Sequence, residues 1–119
     1  MSPQARFTEL MREHFADLPI SIIEIGTASG LWTEYVVRNY PAVEKLYTID
    51  PYRHLPDEKY EGGRPQEWHD HIKSVAIKRL NGFPNVNRYS VPVKRHYLSS
   101  TIMRLFSWNF LIASKWRWM

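Results

Sequence analysis

The chain has 119 residues, enough for one domain, and apolar residues make up 44% of it, so it can bury a core. It contains no cysteine, which excludes disulfides, thiol catalysis and cysteine-ligated metals. The net charge of +4 conceals a split: residues 1–70 hold 12 acidic and 7 basic residues, whereas residues 71–119 hold 9 basic residues and no acid.

The first half of the chain predicts helices and strands in alternation. Apolar residues recur at three- and four-residue steps up to about Ala16, which predicts an amphipathic first helix. A run rich in β-branched residues at 20–26 predicts a buried strand, and a short helix should start at Leu31. A second strand is predicted at 45–50. Strand, helix and strand in this order form a βαβ unit, whose two strands are parallel.

The second half has weaker patterns. Residues 51–66 form a loop dense in proline, glycine and charge, and such a long loop is often a lid or a binding segment. A helix is predicted at 67–83, followed by a strand with weak alternation at 85–91. Beyond it, the pattern predicts a helix near 98–106 and an apolar strand at 109–113.

The stretch "SIIEIGTASGLWTEYV" (21–36) joins the first strand to the second helix through a small, glycine-bounded loop. Small residues let a ligand approach the main chain, and the start of a helix offers unpaired N–H groups and a positive dipole end. Asp50 follows Gly30 by twenty positions, at the end of the next predicted strand. A carboxylate there can accept hydrogen bonds from ribose hydroxyls, so the sequence predicts a nucleoside cofactor.

Two cofactor classes fit this layout. The dinucleotide fingerprint requires glycine at the first, third and sixth places of the loop, which are here Gly26, Ala28 and Leu31. Two of the three positions therefore lack the required glycine. The alternative pattern, E/D-x-G-x-G-x-G, is matched by "EIGTASG" with one conservative departure at Ala28.

The segment "EIGTASGLWTEYV…KLYTIDPY" resembles the class I S-adenosylmethionine-dependent methyltransferases, especially the small-molecule methyltransferase-type domains. The resemblance covers residues 20–52 well and 67–91 loosely. It implies an α/β fold with a Rossmann-like parallel sheet and flanking helices, truncated to about three or four strands. Residues 1–92 would be the cofactor-binding part, and residues 93–119 a divergent, basic, tryptophan-rich tail.

The resemblance also implies a cofactor site. Its residues are Glu24, Gly26, Thr27, Ala28, Ser29, Gly30, Asp50, Pro51 and Tyr52. Glu24 would order the loop and bind the amino group of the methionine, and residues 26–30 would line the amino-acid part and the ribose. Asp50 would bind the ribose diol, while Pro51 and Tyr52 would flank the adenine.

The implied function is transfer of a methyl group from S-adenosylmethionine to an unidentified acceptor. Catalytic residues are not assigned. The later predicted strands lack the acidic residues that this family commonly carries there, and a full domain has more strands than this chain has room for. We therefore expect a fragment with little activity alone, and one alternative is a non-catalytic binding remnant of a Rossmann-like domain.

A basic nucleic-acid-binding protein is the other alternative, because "VKRHY" (93–97) and "KWRW" (115–118) combine basic and aromatic residues. No nucleic-acid-binding module surrounds these stretches, so we rank this alternative lower. No metal site is predicted, since the nearest cluster, "EWHDH" (67–71), lies in a helical pattern that points alternate residues apart. We expect a cytoplasmic protein with a small-molecule substrate, no membrane partner, and self-association through an uncovered sheet edge.

Overall fold

A computed structural model describes residues 2–57, 59, 61–91 and 110–114, the last of these by their backbone. The elements are α1 (Pro3–Phe15), β1 (Ile20–Ile25), α2 (Leu31–Asn39), β2 (Val43–Ile49), a 3₁₀ turn (Glu61–Gly63), α3 (Gln66–Leu80), β3 (Val86–Tyr89) and β4 (Phe110–Ser114). The predicted elements in these ranges are confirmed, with ends shifted by a few residues. The helix predicted near 98–106 lies outside the described residues.

The four strands form one parallel sheet in the order β3-β2-β1-β4. In β1, Ile23 pairs with Tyr47 of β2 on one side and with Ile112 of β4 on the other. The predicted α/β class, with a Rossmann-like parallel sheet flanked by helices, is confirmed. The strand order reverses between β1 and β4, and open α/β sheets bind ligands at the carboxyl ends of the strands at such a reversal.

The hydrophobic core lies between one face of the sheet and helices α1 and α2. Every second residue of β1 faces these helices, since successive side chains of a strand point to opposite sides. The buried members of this core are Met11, Ile20, Ile22, Val36, Tyr40, Val43 and Leu46. In the part of the chain that the structure describes, no helix is both long enough and apolar enough to cross a membrane.

Both ends of α1 follow from local sequence. The hydroxyl of Ser2 accepts a hydrogen bond from the Ala5 amide at 3.1 Å, and proline occupies the first helical position, where no amide is needed. The helix ends at Phe15, and its C-cap residue Ala16 adopts the left-handed conformation with φ 47°. Phe7 of α1 then packs on Trp32 of α2, with ring centroids 4.8 Å apart.

Candidate functional site

The loop of residues 26–30 connects the carboxyl end of β1 to the start of α2. Gly26 and Gly30 have φ angles of 94° and 80°, in the left-handed region that glycine adopts at little cost. The Gly26 amide donates to the carbonyl of Ile49 in β2 at 2.7 Å, which ties the loop to the neighbouring strand. Gly30 is the N-cap of α2 and has no side chain with which to cap it, and the first turn of the helix begins directly at the loop.

Asp50 lies against this loop. Its Oδ2 accepts a hydrogen bond from the Ala28 amide, and its Oδ1 accepts one from the Tyr52 amide, each at 2.9 Å. A carboxylate has about four acceptor positions, so two amide donors orient Asp50 and leave acceptor capacity on both oxygens. The structure thus brings together the loop and the acidic residue that the sequence analysis paired.

Tyr52 also forms a hydrogen bond with Ala28. Its hydroxyl donates to the Ala28 carbonyl at 2.6 Å, and its side chain is buried. Burial raises the pKa of the Tyr52 hydroxyl, and the nearby Asp50 carboxylate raises it further. The contact with adenine implied for Tyr52 stays a prediction, as does the one implied for the half-buried Pro51.

Glu24 lies in β1 and is completely buried. The hydroxyls of Thr33 in α2 and Thr48 in β2 both donate to its Oε1, each at 2.5 Å. The hydroxyl of Thr48 also lies 2.6 Å from that of Thr27 in the loop. Glu24 therefore connects β1 with α2 and β2 and, through Thr48, with the loop. This arrangement fits the predicted role in ordering the loop, while a contact with an amino group of a ligand stays a prediction.

Helix α3 supports the site from the side. The Nη1 of Arg79 donates to the carbonyl of Ser29 at 2.6 Å, and the side chain of Leu80 packs against Gly30. At the start of α3, the amide group of Gln66 donates to the Tyr52 carbonyl at 2.8 Å and accepts from the His54 amide at 3.0 Å. These contacts attach the long loop after β2 to α3.

Sequence reasoning missed four residues around the site: Thr33, Thr48, Gln66 and Arg79. Three of them are polar residues within a helix or strand pattern and Gln66 ends the predicted loop at 51–66, and the partner of each is remote along the chain or in a different element. The proline before Gln66 is the one local signal, because it marks the start of a helix and so the neighbourhood of a loop anchor.

His69 belongs to the EWHDH stretch (67–71). The structure buries it in α3, and its Nε2 has no hydrogen-bond partner among the described residues. Within the same residues, no three His, Cys, Asp or Glu side chains come together as a metal site. His96, in the basic stretch 93–97, is outside the described residues.

Comparison with known proteins adds no family assignment, since no family model and no curated protein matches the chain. Function is therefore inferred from the geometry of the site. The site combines backbone donors at a helix start with an oriented carboxylate at the adjacent strand end, and it lies beside the reversal of strand order. Such a combination suits a ligand that carries both an anionic group and a pair of hydroxyls.

Proposed function

We propose that this chain binds S-adenosylmethionine at the carboxyl edge of its sheet, as the cofactor-binding part of a methyltransferase. One observation carries the proposal: the Asp50 carboxylate at the end of β2 lies on the glycine-bounded loop after β1, held by the Ala28 amide at 2.9 Å. A ribose diol that donates to Asp50 would therefore lie directly beside the loop.

The residues of the site fit the parts of this cofactor. The remaining acceptor positions of Asp50 suit the two ribose hydroxyls. The start of α2 suits the carboxylate of the methionine part, because the amides and the helix dipole favour negative charge there. When bound, S-adenosylmethionine supplies an activated methyl group for a nucleophilic oxygen, nitrogen or carbon, and the chain's own residues bind and orient it.

A dinucleotide fits the same loop less well. The third glycine of the dinucleotide fingerprint allows close packing between helix and strand. Leu31 stands at that position, where it is the first residue of α2 and is 56% exposed. The loop also follows Glu24, which belongs to the methyltransferase-type pattern and is absent from the dinucleotide fingerprint.

Isothermal titration calorimetry with S-adenosylhomocysteine tests the proposal. We expect saturable binding and a higher melting temperature with the ligand, because a ligand that binds only the native state stabilises it. NAD, which shares the adenosine part, is the control and should produce neither effect at the same concentration. Binding of NAD without a response to S-adenosylhomocysteine would contradict the choice of cofactor.

A binding module without catalysis remains the second candidate, because every contact described above serves binding or positioning. Incubation with S-adenosylmethionine labelled in the methyl group distinguishes the two. Label that appears in an acceptor supplied from a cell extract indicates a transferase. Binding of the cofactor with no transfer to any acceptor fraction favours the binding module.

A further inference from the structure

We infer that Asp50 and Tyr52 hold Ala28 in the left-handed conformation, and that Tyr52 is thereby a positioning residue for the cofactor loop. We call these two side chains, with their hydrogen bonds to Ala28, the Ala28 clasp. The part of this inference that concerns ligand affinity rests on the proposed function. The part that concerns the loop itself does not.

The first observation is the backbone of Ala28, whose φ angle is 48°. Three residues of the loop have positive φ angles, and two of them, Gly26 and Gly30, are glycines. Ala28 carries a Cβ that disfavours this conformation, since the Cβ approaches the following carbonyl oxygen. Ala28 is also the position where the matched methyltransferase-type pattern has its middle glycine. The chain therefore keeps the left-handed backbone there without the residue that adopts it freely.

The second observation is that both polar groups of the Ala28 backbone are bound by one short segment. The Ala28 amide donates to Asp50 Oδ2 at 2.9 Å, and the Ala28 carbonyl accepts from the Tyr52 hydroxyl at 2.6 Å. The two partners are two residues apart in the turn after β2. A strained backbone conformation persists when its surroundings determine it from several directions, and these two bonds do so.

The clasp is itself held in place. The Tyr52 amide donates to Asp50 Oδ1 at 2.9 Å, so the two side chains of the clasp are joined by a third hydrogen bond. Gln66 of α3 binds the Tyr52 carbonyl at 2.8 Å. Tyr52 is only 7% exposed, so water has little access to its bond with Ala28.

The consequence is a loop that is shaped before a ligand arrives. Preorganisation of this kind raises affinity, because the ligand does not have to order the loop. Without the Tyr52 hydroxyl, Ala28 is free to relax towards the right-handed region, and the neighbouring amides turn with it. Tyr52 acts through Ala28, so removing its hydroxyl should weaken binding and substituting glycine at position 28 should restore it.

The test is a cycle of four proteins: the natural chain, Tyr52→Phe, Ala28→Gly, and the double variant. We expect Tyr52→Phe to lower the affinity for S-adenosylhomocysteine by about 2- to 10-fold, the usual range for one hydrogen bond. The double variant should regain most of that loss, because glycine takes a positive φ without the clasp. Equal losses in Tyr52→Phe and in the double variant would overturn the inference.

Tyr40→Phe is the matched control. The Tyr40 hydroxyl also donates to a backbone carbonyl, that of Leu18 at 3.1 Å, and the side chain is completely buried. Its bond lies near the start of β1, away from the loop. Tyr40→Phe should therefore lower the melting temperature and leave the affinity unchanged. An equal loss of affinity in Tyr40→Phe would show that general destabilisation accounts for the effect.

Amide hydrogen exchange, measured by NMR without ligand, tests the clasp independently of the cofactor. Exchange at residues 27–30 should be faster in Tyr52→Phe than in the natural chain and unchanged in Tyr40→Phe. Unchanged exchange in Tyr52→Phe would overturn the clasp, whatever the chain binds.

The two proposals can fail separately. If the natural chain does not bind S-adenosylhomocysteine but the exchange rates change as expected, the proposed function is wrong and the clasp is supported. If Tyr52→Phe does not fold, folding of the double variant supports the clasp, and its failure to fold overturns it.

Discussion

The Asp50 carboxylate has two tasks in this structure. It accepts hydrogen bonds from the backbone amides of Ala28 and Tyr52, and its remaining acceptor positions are available to a ligand at the end of β2. Both tasks use negative charge, because hydrogen bonds to an ionised acceptor are roughly twice as strong as neutral ones. Substitution of Asp50 should therefore change the stability of the loop and the affinity for a diol together.

Asp50→Asn should lower the affinity for S-adenosylhomocysteine by about 5- to 30-fold, or about 1–2 kcal/mol. Asparagine keeps the shape of the side chain but removes its charge. Its NH₂ group would also face one of the two backbone amides that donate to Asp50, and that amide would lose its acceptor. A lower melting temperature should accompany the loss of affinity. Calorimetry and thermal denaturation measure the two effects.

Asp57→Asn is the control for this variant, since Asp57 is an exposed acid in the same loop and its loss changes the net charge equally. It should leave both affinity and melting temperature nearly unchanged. Equal effects of the two substitutions would assign the result to net charge and would remove Asp50 from the site.

Ionisation of the Tyr52 hydroxyl should make the stability of the chain depend on pH. Burial raises the pKa of its hydroxyl above the ordinary value of 10.0, and the Asp50 carboxylate adds to the shift. A group whose pKa is higher in the folded state contributes stability that is fully present below its unfolded pKa and is lost as the pH rises further. Ionisation also removes the proton that Tyr52 donates to Ala28.

The free energy of unfolding should therefore fall as the pH rises above about 10, and less so in Tyr52→Phe, where this titration is missing. Urea unfolding at several pH values in this window measures the difference between the two proteins. Parallel pH profiles for the natural chain and Tyr52→Phe would contradict a buried, hydrogen-bonded hydroxyl.

At the scale of elements, the N-cap residue of α2 is in a left-handed conformation that glycine adopts at little cost. Gly30 has a φ of 80°, and a Cβ placed there would lie 3.1 Å from Cδ1 of Leu80 in α3. Gly30→Ala should cost about 1–3 kcal/mol of stability, because a left-handed alanine is strained and Leu80 must also shift. Thermal or urea denaturation measures this loss.

Gly82→Ala provides the comparison, since a Cβ at Gly82 meets no atom within 4 Å. Its effect should stay within about 0.5 kcal/mol. If the two substitutions destabilise the chain equally, the tight packing of α3 on the start of α2 is not what requires glycine at position 30.

The junction of β1, β2 and α2 depends on hydroxyl groups that donate to Glu24. Thr33→Val keeps the shape of the side chain but removes its donor to the buried Glu24 Oε1. We expect a loss of about 0.5–1.5 kcal/mol, the usual contribution of one hydrogen bond, because Oε1 keeps its bond from Thr48. Urea unfolding measures it.

Thr8→Val is the matched variant for this measurement. Thr8 is equally buried in α1, but its hydroxyl donates to the carbonyl of Ala5 in the same helix, at 2.9 Å. Loss of that bond should cost less, because no buried carboxyl group is deprived of a donor. A larger effect for Thr8→Val than for Thr33→Val would contradict a structural role for the Glu24 cluster.

At the scale of the whole molecule, charge is distributed unevenly along the chain. Residues 71–119 carry 9 basic residues and no acid, and part of this segment lies outside the described residues. If this segment bound nucleic acid, the affinity for a random oligonucleotide would be high and would decrease with salt concentration, because binding releases counterions.

We expect only weak binding to such an oligonucleotide at low salt, and loss of that binding at physiological salt. Fluorescence anisotropy of a labelled random-sequence strand measures it across a salt series. Excess S-adenosylhomocysteine, added as a control, shows whether the oligonucleotide and the proposed cofactor compete for one site. Tight binding that persists at physiological salt would make nucleic-acid recognition the leading function.

The sequence by itself determined the order and type of the described elements, and it placed Asp50 at the end of the strand beside the glycine-bounded loop. These features are local: apolar periodicity marks each helix and strand, proline and glycine mark their ends, and parallel strands in a βαβ unit end at the same edge of the sheet. Tertiary structure alone decided that β4 pairs with β1, that Thr33 and Thr48 converge on Glu24, and that the Tyr52 hydroxyl reaches Ala28. Those partners are separated by 9 to 24 residues or lie on strands distant in sequence, and their contact depends on strand register and helix position, which no local pattern encodes.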